Sequence, residues 1–184
     1  MKLLAISGSL RRESLNGYLL GAVKECLPQD VELATADIGS LPLYNEDLDG
    51  DSKPEPVVRL IGAIAAADGL VIATPEYNYG IPGGLKNAID WASRPAYRSV
   101  LAHRPTLIMS ASKSPIGGAR AQAQLKNVLL ATLTPVFTAP ELTVPAAQKV
   151  FTEDGVLTDD SVRRKLERLV GDYCAWLAAY PGPE

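Results

Sequence analysis

Short apolar runs alternate along the chain with segments in which apolar side chains recur every third or fourth residue. The runs predict β-strands, and the recurring positions predict helices that bury one face. The predicted strands are residues 2–7, 31–36, 69–73, 105–110 and 136–144, the last of them interrupted by Pro140. The run at 69–73 is apolar throughout, which favours a central strand buried on both faces of a parallel sheet.

Five helices are predicted between and after these strands. Four are defined by apolar positions at helical spacing, and these positions are Leu15, Tyr18, Leu19, Ala22, Val23 and Cys26; Val57, Ile61, Ile64 and Ala65; Leu85, Ala88, Ile89 and Ala92; and Val162, Leu166, Leu169, Val170, Tyr173 and Leu177. The fifth, residues 119–133, is indicated by its Ala, Gln and Leu content. Residues 37–53 form a long polar connection, and the tail 181–184 is expected to fray.

This alternation predicts an α/β fold, a doubly wound, five-stranded parallel sheet with helices on both faces. The length of 184 residues, of which 47% are hydrophobic, suits a single domain spanning residues 1–184. In such sheets ligands bind beyond the carboxyl ends of the strands. We therefore expect the chemistry in three polar loops, those after the first, third and fourth strands.

Composition excludes several classes of function. The formal net charge of −3 leaves no overall basic field for nucleic acid. Cys26 and Cys174 are the only cysteines, and no Cys/His group has zinc-ligand spacing, so neither a disulfide scaffold nor a metal site is expected. No apolar stretch reaches the roughly 18 residues of a membrane helix, and the first run is too short for a signal peptide. A cytoplasmic protein is expected.

The loop after the first strand has the composition of a phosphate cradle. Ser9, Ser14 and Asn16 offer neutral donors, and Arg11 offers a charge-assisted one, at a helix N-terminus that already favours anions. The Walker and G-x-G-x-x-G patterns are absent, so a terminal monophosphate fits better than a pyrophosphate. The alternative is that Ser14 is an ordinary N-cap and that the arginines lie in a solvated turn.

The loop after the third strand, residues 74–84, combines prolines, glycines and two tyrosines. It suits a planar ligand, which a tyrosine or the loop backbone can cover while N–H groups of residues 78–80 reach polar ring edges. The alternative is a turn whose tyrosines pack against the neighbouring helix.

Rival sites are weak. Ser110 and Lys113 match S-x-x-K, but the partner motifs are absent. A Ser-His-Asp hydrolase would depend on His103, the single histidine, which precedes a strand and is expected away from the carboxyl edge. Both cysteines continue apolar helix faces. Arg120, at the start of the fourth helix, is a candidate for an anionic group of a nicotinamide nucleotide, although a plain tight turn explains the segment equally well.

Three motifs together resemble the NADPH-dependent FMN reductase family, and its quinone and chromate reductases are the most similar. The motifs are Gly8-Ser9-Leu10-Arg11 with Ser14 and Asn16, then Pro75-Glu76-Tyr77-Asn78, then the segment from Gly83 to Trp91. The resemblance implies a flavodoxin-like fold with strand order 2-1-3-4-5, non-covalently bound FMN, and homodimers or homotetramers. Trp91, Tyr97 and the 37–53 connection are the candidate interface material.

The resemblance also implies the roles of individual residues. The phosphate is assigned to Ser9, Arg11, Ser14 and Asn16, with Leu10 as a further cofactor contact, and the isoalloxazine ring to Pro75, Glu76, Tyr77, Asn78, Tyr79 and Gly80, with Ser112 near the ring or ribityl chain. Two positions depart from the family pattern. Gly80 stands where a serine is common, and residues 113–115 replace a short apolar turn.

The implied activity is hydride transfer from NAD(P)H to FMN and then to a small acceptor, such as a quinone, chromate, an azo compound or a flavin, in a ping-pong cycle. The cofactor carries the hard chemistry, so no catalytic triad is needed. The alternative is a flavodoxin-like electron carrier that binds FMN without NAD(P)H turnover. Such carriers tend to be strongly acidic, whereas this chain carries only −3.

Overall fold

The structure, a computed structural model, describes residues 1–181. Its strands are β1 (Lys2–Ser7), β2 (Glu32–Ala36), β3 (Gly69–Ala73), β4 (Thr106–Ala111) and β5 (Thr143–Val144). Its helices are α1 (Leu15–Cys26), α2 (Glu55–Ala66), α3 (Gly83–Ala92), α4 (Ala119–Leu130) and α5 (Asp160–Ala179), with short 3-10 helices at Glu46–Leu48 and Ala147–Lys149. The predicted fraying of 181–184 falls mainly on residues 182–184, which lie outside the described residues.

The five strands form one parallel sheet in the order β2-β1-β3-β4-β5, so the predicted flavodoxin-like topology is confirmed. Ser7 at the end of β1 lies opposite Ala73 at the end of β3, and Ala73 in turn lies opposite Met109 in β4. The loops that follow these three strands therefore leave the sheet side by side.

Side chains alternate across the sheet and build a separate apolar core on each face. Leu3, Ala5, Val71 and Met109 face α1 and α5, whereas Leu4, Ile6, Ile72 and Ile108 face α2, α3 and α4. Because both faces are covered, β3 and β4 are buried along their whole length. Among residues 1–181, no helix is both long and apolar enough to cross a membrane.

The edge strand is much shorter than predicted. The prediction placed a strand at 136–144, but only Thr143 and Val144 pair continuously with β4, and Val136 makes an isolated bridge to Thr106. Pro140 has no N–H group to donate to a ladder, and the chain bends away from the sheet around it. The α4 helix also ends at Leu130 rather than at residue 133.

Two predictions about helix surfaces are wrong. The buried face of α2 consists of Val57, Leu60 and Ile64, while Ala65 is exposed. Trp91 is fully buried and its indole N–H donates to the carbonyl of Pro42 at 2.8 Å, so it cannot form interface material. The same carbonyl accepts from the side chain of Asn87 at 2.9 Å, which fastens the 37–53 connection to α3.

Candidate functional site

Two adjoining cavities lie where the three polar loops meet. The first, of about 210 Å³, is lined by Ser9, Arg11, Ser14, Leu15, Asn16, Pro75, Glu76, Tyr77, Ala111, Ser112 and Lys113. The second, of about 530 Å³, is lined by Glu76, Asn78, Tyr79, Ser112, Ser114, Ile116 and Arg120. Glu76 and Ser112 line both. All of the predicted cofactor residues except Leu10 and Gly80 therefore lie around one continuous depression.

The loop after β1 presents hydrogen-bond donors at the start of α1. Ser14 is the N-cap of α1 and its side chain accepts from Gly17 N–H at 3.2 Å, which leaves the hydroxyl hydrogen able to donate outward. Arg11 is exposed and forms no ion pair with any residue between 1 and 181. A free guanidinium, serine hydroxyls and a helix N-terminus together suit a phosphate group.

Asn16 lies in the same cavity wall, but its amide is already engaged. Its Nδ2 donates to the carbonyl of Ala111 at 2.9 Å, and its Oδ1 accepts from Ala111 N–H at 2.9 Å. The side chain is buried and ties the first turn of α1 to the end of β4. Only one amide hydrogen remains for an incoming group, so the contribution of Asn16 to the cradle is mainly to hold its two walls together.

The loop after β3 contains a tight hairpin, residues 77–80, which we name the ring turn. Tyr77 and Gly80 exchange both backbone hydrogen bonds, at 2.9 and 3.0 Å. Asn78 and Tyr79 between them have φ values of 50° and 67°, as a two-residue hairpin with two left-handed positions requires. Their N–H groups have no hydrogen-bond partner within residues 1–181. Within the described residues the ring turn therefore offers two adjacent free N–H donors.

The tyrosines of the ring turn are largely exposed, and one of them contacts the first turn of α4. Tyr77 is 48% exposed and Tyr79 is 73% exposed. The ring of Tyr79 lies under the guanidinium of Arg120, whose Cζ is 4.2 Å from the ring centroid. The Tyr77 ring is therefore available to a ligand that enters from solvent, whereas one face of the Tyr79 ring is covered by Arg120.

Glu76, which lines both cavities, binds the N-terminus of α4 through its carboxylate. Its Oε2 accepts from the backbone N–H of Arg120 at 3.1 Å, and its Oε1 accepts from the Arg120 guanidinium at 2.8 Å. A carboxylate that contacts the N-terminus of a helix is stabilised by the helix dipole. Arg120, the candidate for binding an anionic group of a nucleotide, thus already uses part of its hydrogen-bonding capacity on Glu76.

Sequence reasoning missed two residues at the site. Lys113 lines the first cavity and adds a second cation next to Arg11. The Oε1 atom of Gln124 accepts from Ile81 N–H at 2.6 Å, immediately after the ring turn. The spacing of Gln124 from Arg120 places both on one face of a helix, but no pattern in the sequence shows which loop that face touches.

The structure places the remaining candidates elsewhere. Leu10 is 62% exposed and lines neither cavity. Ser110 is fully buried and its hydroxyl donates to the carbonyl of Gly117 at 2.7 Å, so it is not accessible as a nucleophile. His103 lines a separate cavity with Met1 and Asp68, at the amino end of the sheet.

The donor set fits FMN. The first cavity offers hydroxyls and cations for a terminal phosphate, and the second offers free backbone N–H groups and exposed aromatic rings for a flat heterocycle. The two cavities adjoin, as one ligand with a phosphate at one end and a ring at the other requires.

Comparisons with known proteins agree with this geometry. A model of the NADPH-dependent FMN reductase family matches residues 1–149. The chain is 39% identical to an NAD(P)H-dependent FMN reductase of Pseudomonas aeruginosa, over 99% of this chain and 98% of that protein. It is 38% identical to a 2-hydroxy-1,4-benzoquinone reductase of a Burkholderia species, over 96% of each.

A solved structure gives the same result. The flavoenzyme FerB, an NAD(P)H:(acceptor) oxidoreductase of Paracoccus denitrificans, aligns with a TM-score of 0.89 and 36% identity over 97% of both chains. The predicted family, the oxidoreductase class and the use of FMN with NAD(P)H are thereby confirmed. On its fold, its motifs and its relatives, the chain belongs to the NADPH-dependent FMN reductase family.

Proposed function

We propose that this protein is an FMN-dependent NAD(P)H oxidoreductase that reduces quinones or comparable small acceptors, such as chromate, azo compounds or free flavins. The observation that carries the proposal is the junction of an anion cradle with the ring turn across two adjoining cavities. The relatives named as a 2-hydroxy-1,4-benzoquinone reductase and as quinone reductases support a quinone as acceptor.

The proposed residue roles follow the two cavities. Ser9, Arg11 and Ser14 hold the phosphate, with Asn16 fixing the cradle and Lys113 adding charge. The backbone from Pro75 to Gly80 holds the ring, and Ser112, which lines both cavities, lies between the two ends of the cofactor. The contribution proposed for Leu10 is restricted to its backbone, because its side chain lies outside the cavities.

When bound, FMN supplies the chemistry by accepting a hydride from NAD(P)H and returning the electrons to an acceptor. The residues of the chain bind the cofactor and orient its ring. The free N–H groups of Asn78 and Tyr79 offer hydrogen bonds to polar ring edges, and they carry no charge that would titrate near neutral pH. The second cavity is where donor and acceptor are proposed to bind in turn, so a ping-pong order is expected.

The proposal extends to assembly and location. A groove of about 490 Å³ between α3 and α4 is lined in part by Tyr97, which is 67% exposed, and Leu130 near it is 72% exposed. We propose that the chain forms a homodimer or homotetramer through this surface, and static light scattering that finds only monomer would contradict this.

Both cysteines are free thiols, which supports a cytoplasmic location. The 184 residues are proposed to fold as one domain.

The proposal is tested by the visible spectrum of the FMN-reconstituted protein before and after anaerobic NADPH or NADH, followed by 1,4-benzoquinone. Bleaching by the nucleotide and recovery with the quinone are expected. Bound flavin that the nucleotide fails to bleach would favour an electron carrier instead. A protein that binds no flavin would contradict the site assignment.

A further inference from the structure

The ring turn is held from outside by one helix. Arg120 and Gln124 lie one helical turn apart on α4, and both touch the segment that contains the turn. Arg120 stacks on the ring of Tyr79. Its guanidinium also donates to the carboxylate of Glu76, which directly precedes the turn. Oε1 of Gln124 accepts a hydrogen bond from the N–H of Ile81, which directly follows the turn. The two contacts therefore flank the turn on both sides.

A turn of this kind needs external support. Asn78 and Tyr79 both have φ in the left-handed region, which is unfavourable for residues with a side chain. Such conformations persist where surrounding structure holds them. The free N–H groups that face the proposed ring belong to these same two residues, so whatever fixes their φ values also aims the donors.

The side chain of Gln124 also occupies the space next to Gly80. Gly80 is not among the residues with positive φ, so its backbone conformation does not require glycine. A Cβ atom at this position would instead lie 2.6 Å from Oε1 of Gln124, so the end of the Gln124 side chain would have to shift to admit it. The amide of Gln124 thus occupies the space of a residue-80 side chain while it binds Ile81 N–H.

We propose that Gln124 is a positioning residue for the flavin ring, and that Gly80 and Gln124 act as a coupled pair in which the amide replaces a side chain at residue 80. Arg120 supports the other side of the turn through Tyr79 and Glu76. This inference rests on the proposed function, because it concerns how accurately the ring turn presents its donors to FMN.

The test compares Gln124→Ala, Gln124→Glu, Gly80→Ser and the double variant Gly80→Ser/Gln124→Ala with the wild-type holoenzyme. Lys126→Ala is the matched control, because Lys126 lies on α4, pairs with Glu141 and lines neither the two cavities nor the α3–α4 groove. For each protein one measures the FMN dissociation constant by fluorescence, the flavin reduction potential, and kcat and KM with NADPH and 1,4-benzoquinone.

Loss of the hydrogen bond in Gln124→Ala is expected to weaken FMN binding about 5- to 10-fold, shift the reduction potential and lower kcat more than it changes KM. Gln124→Glu keeps an acceptor oxygen and should stay near wild type, as should Lys126→Ala. Gly80→Ser should impair the wild-type background more than the Gln124→Ala background, because the serine has to displace the Gln124 amide from Ile81 N–H, a contact that the Gln124→Ala background already lacks.

If the wild-type protein binds FMN and turns over, equal behaviour of Gln124→Ala and Lys126→Ala would overturn the positioning role alone. Additive effects of Gly80→Ser and Gln124→Ala would overturn the coupling. A wild-type protein that binds no FMN would overturn the proposed function, and the positioning role with it.

Discussion

Replacing Asn16 with alanine separates a structural role in the cradle from a direct role in binding. The amide of Asn16 satisfies both the N–H and the carbonyl of Ala111, at 2.9 Å each, in a site where the side chain is 2% exposed. A buried polar group that loses its partner costs about 1–3 kcal/mol. Two such groups predict that Asn16→Ala lowers the free energy of unfolding by about 2–6 kcal/mol.

Urea denaturation of the FMN-free protein measures this loss. With a slope of about 2 kcal/mol per molar urea, the midpoint should fall by about 1–3 M. Gln29→Ala, which removes an exposed amide in the loop after α1, is the control and should leave the midpoint unchanged. An Asn16→Ala midpoint within about 0.3 M of wild type, together with weaker FMN binding, would refute the reasoning and make Asn16 a direct phosphate ligand.

Three further predictions concern other parts of the molecule. Arg11→Ala should weaken FMN binding by about 1.5–3 kcal/mol, the range for hydrogen bonds to charged groups, while the urea midpoint of the FMN-free protein stays constant; unchanged fluorescence titration would remove Arg11 from the site. Burial raises the pKa of the Tyr173 hydroxyl, which contacts the carbonyls of Leu70 and Pro105 at 3.0 Å each. The folded protein therefore keeps this proton where the unfolded chain releases it, so stability should fall as pH rises above about 10, and Tyr173→Phe should flatten that decline in denaturation curves. Burial also raises the pKa of the Cys174 thiol, which is 7% exposed, so iodoacetamide should label Cys174 slowly in the native protein at pH 8 and rapidly in urea; rapid native labelling would contradict the burial.

The central sheet was predictable because its strands are buried on both faces. A strand covered by helices on each side must be apolar at every position, and residues 69–73 show that pattern without interruption. The edge of the sheet was not predictable in the same way. The segment 136–144 has only one neighbouring strand, and Pro140 breaks a pairing that the apolar pattern alone suggested.

The sequence predicted where the side chains of the site lie, but not which atoms they bind. Strand order brings the loops after β1, β3 and β4 together, so residues such as Ser9, Tyr77 and Ser112 were expected to meet. Which atoms then bind one another depends on packing over long sequence separations. The carboxylate of Glu76 meets Arg120 across 44 residues, and Asn16 meets Ala111 across 95 residues.

Gly80 shows why a departure from a family pattern needs its three-dimensional partner to be understood. In the sequence, glycine in place of a common serine indicates only added backbone freedom. In the structure the residue does not use that freedom, and the space is taken by Oε1 of Gln124, which binds Ile81 N–H at 2.6 Å. A change at position 80 is therefore also a change in how α4 supports the ring turn. The free N–H groups of Asn78 and Tyr79 lie between the contacts that Arg120 and Gln124 make with this segment.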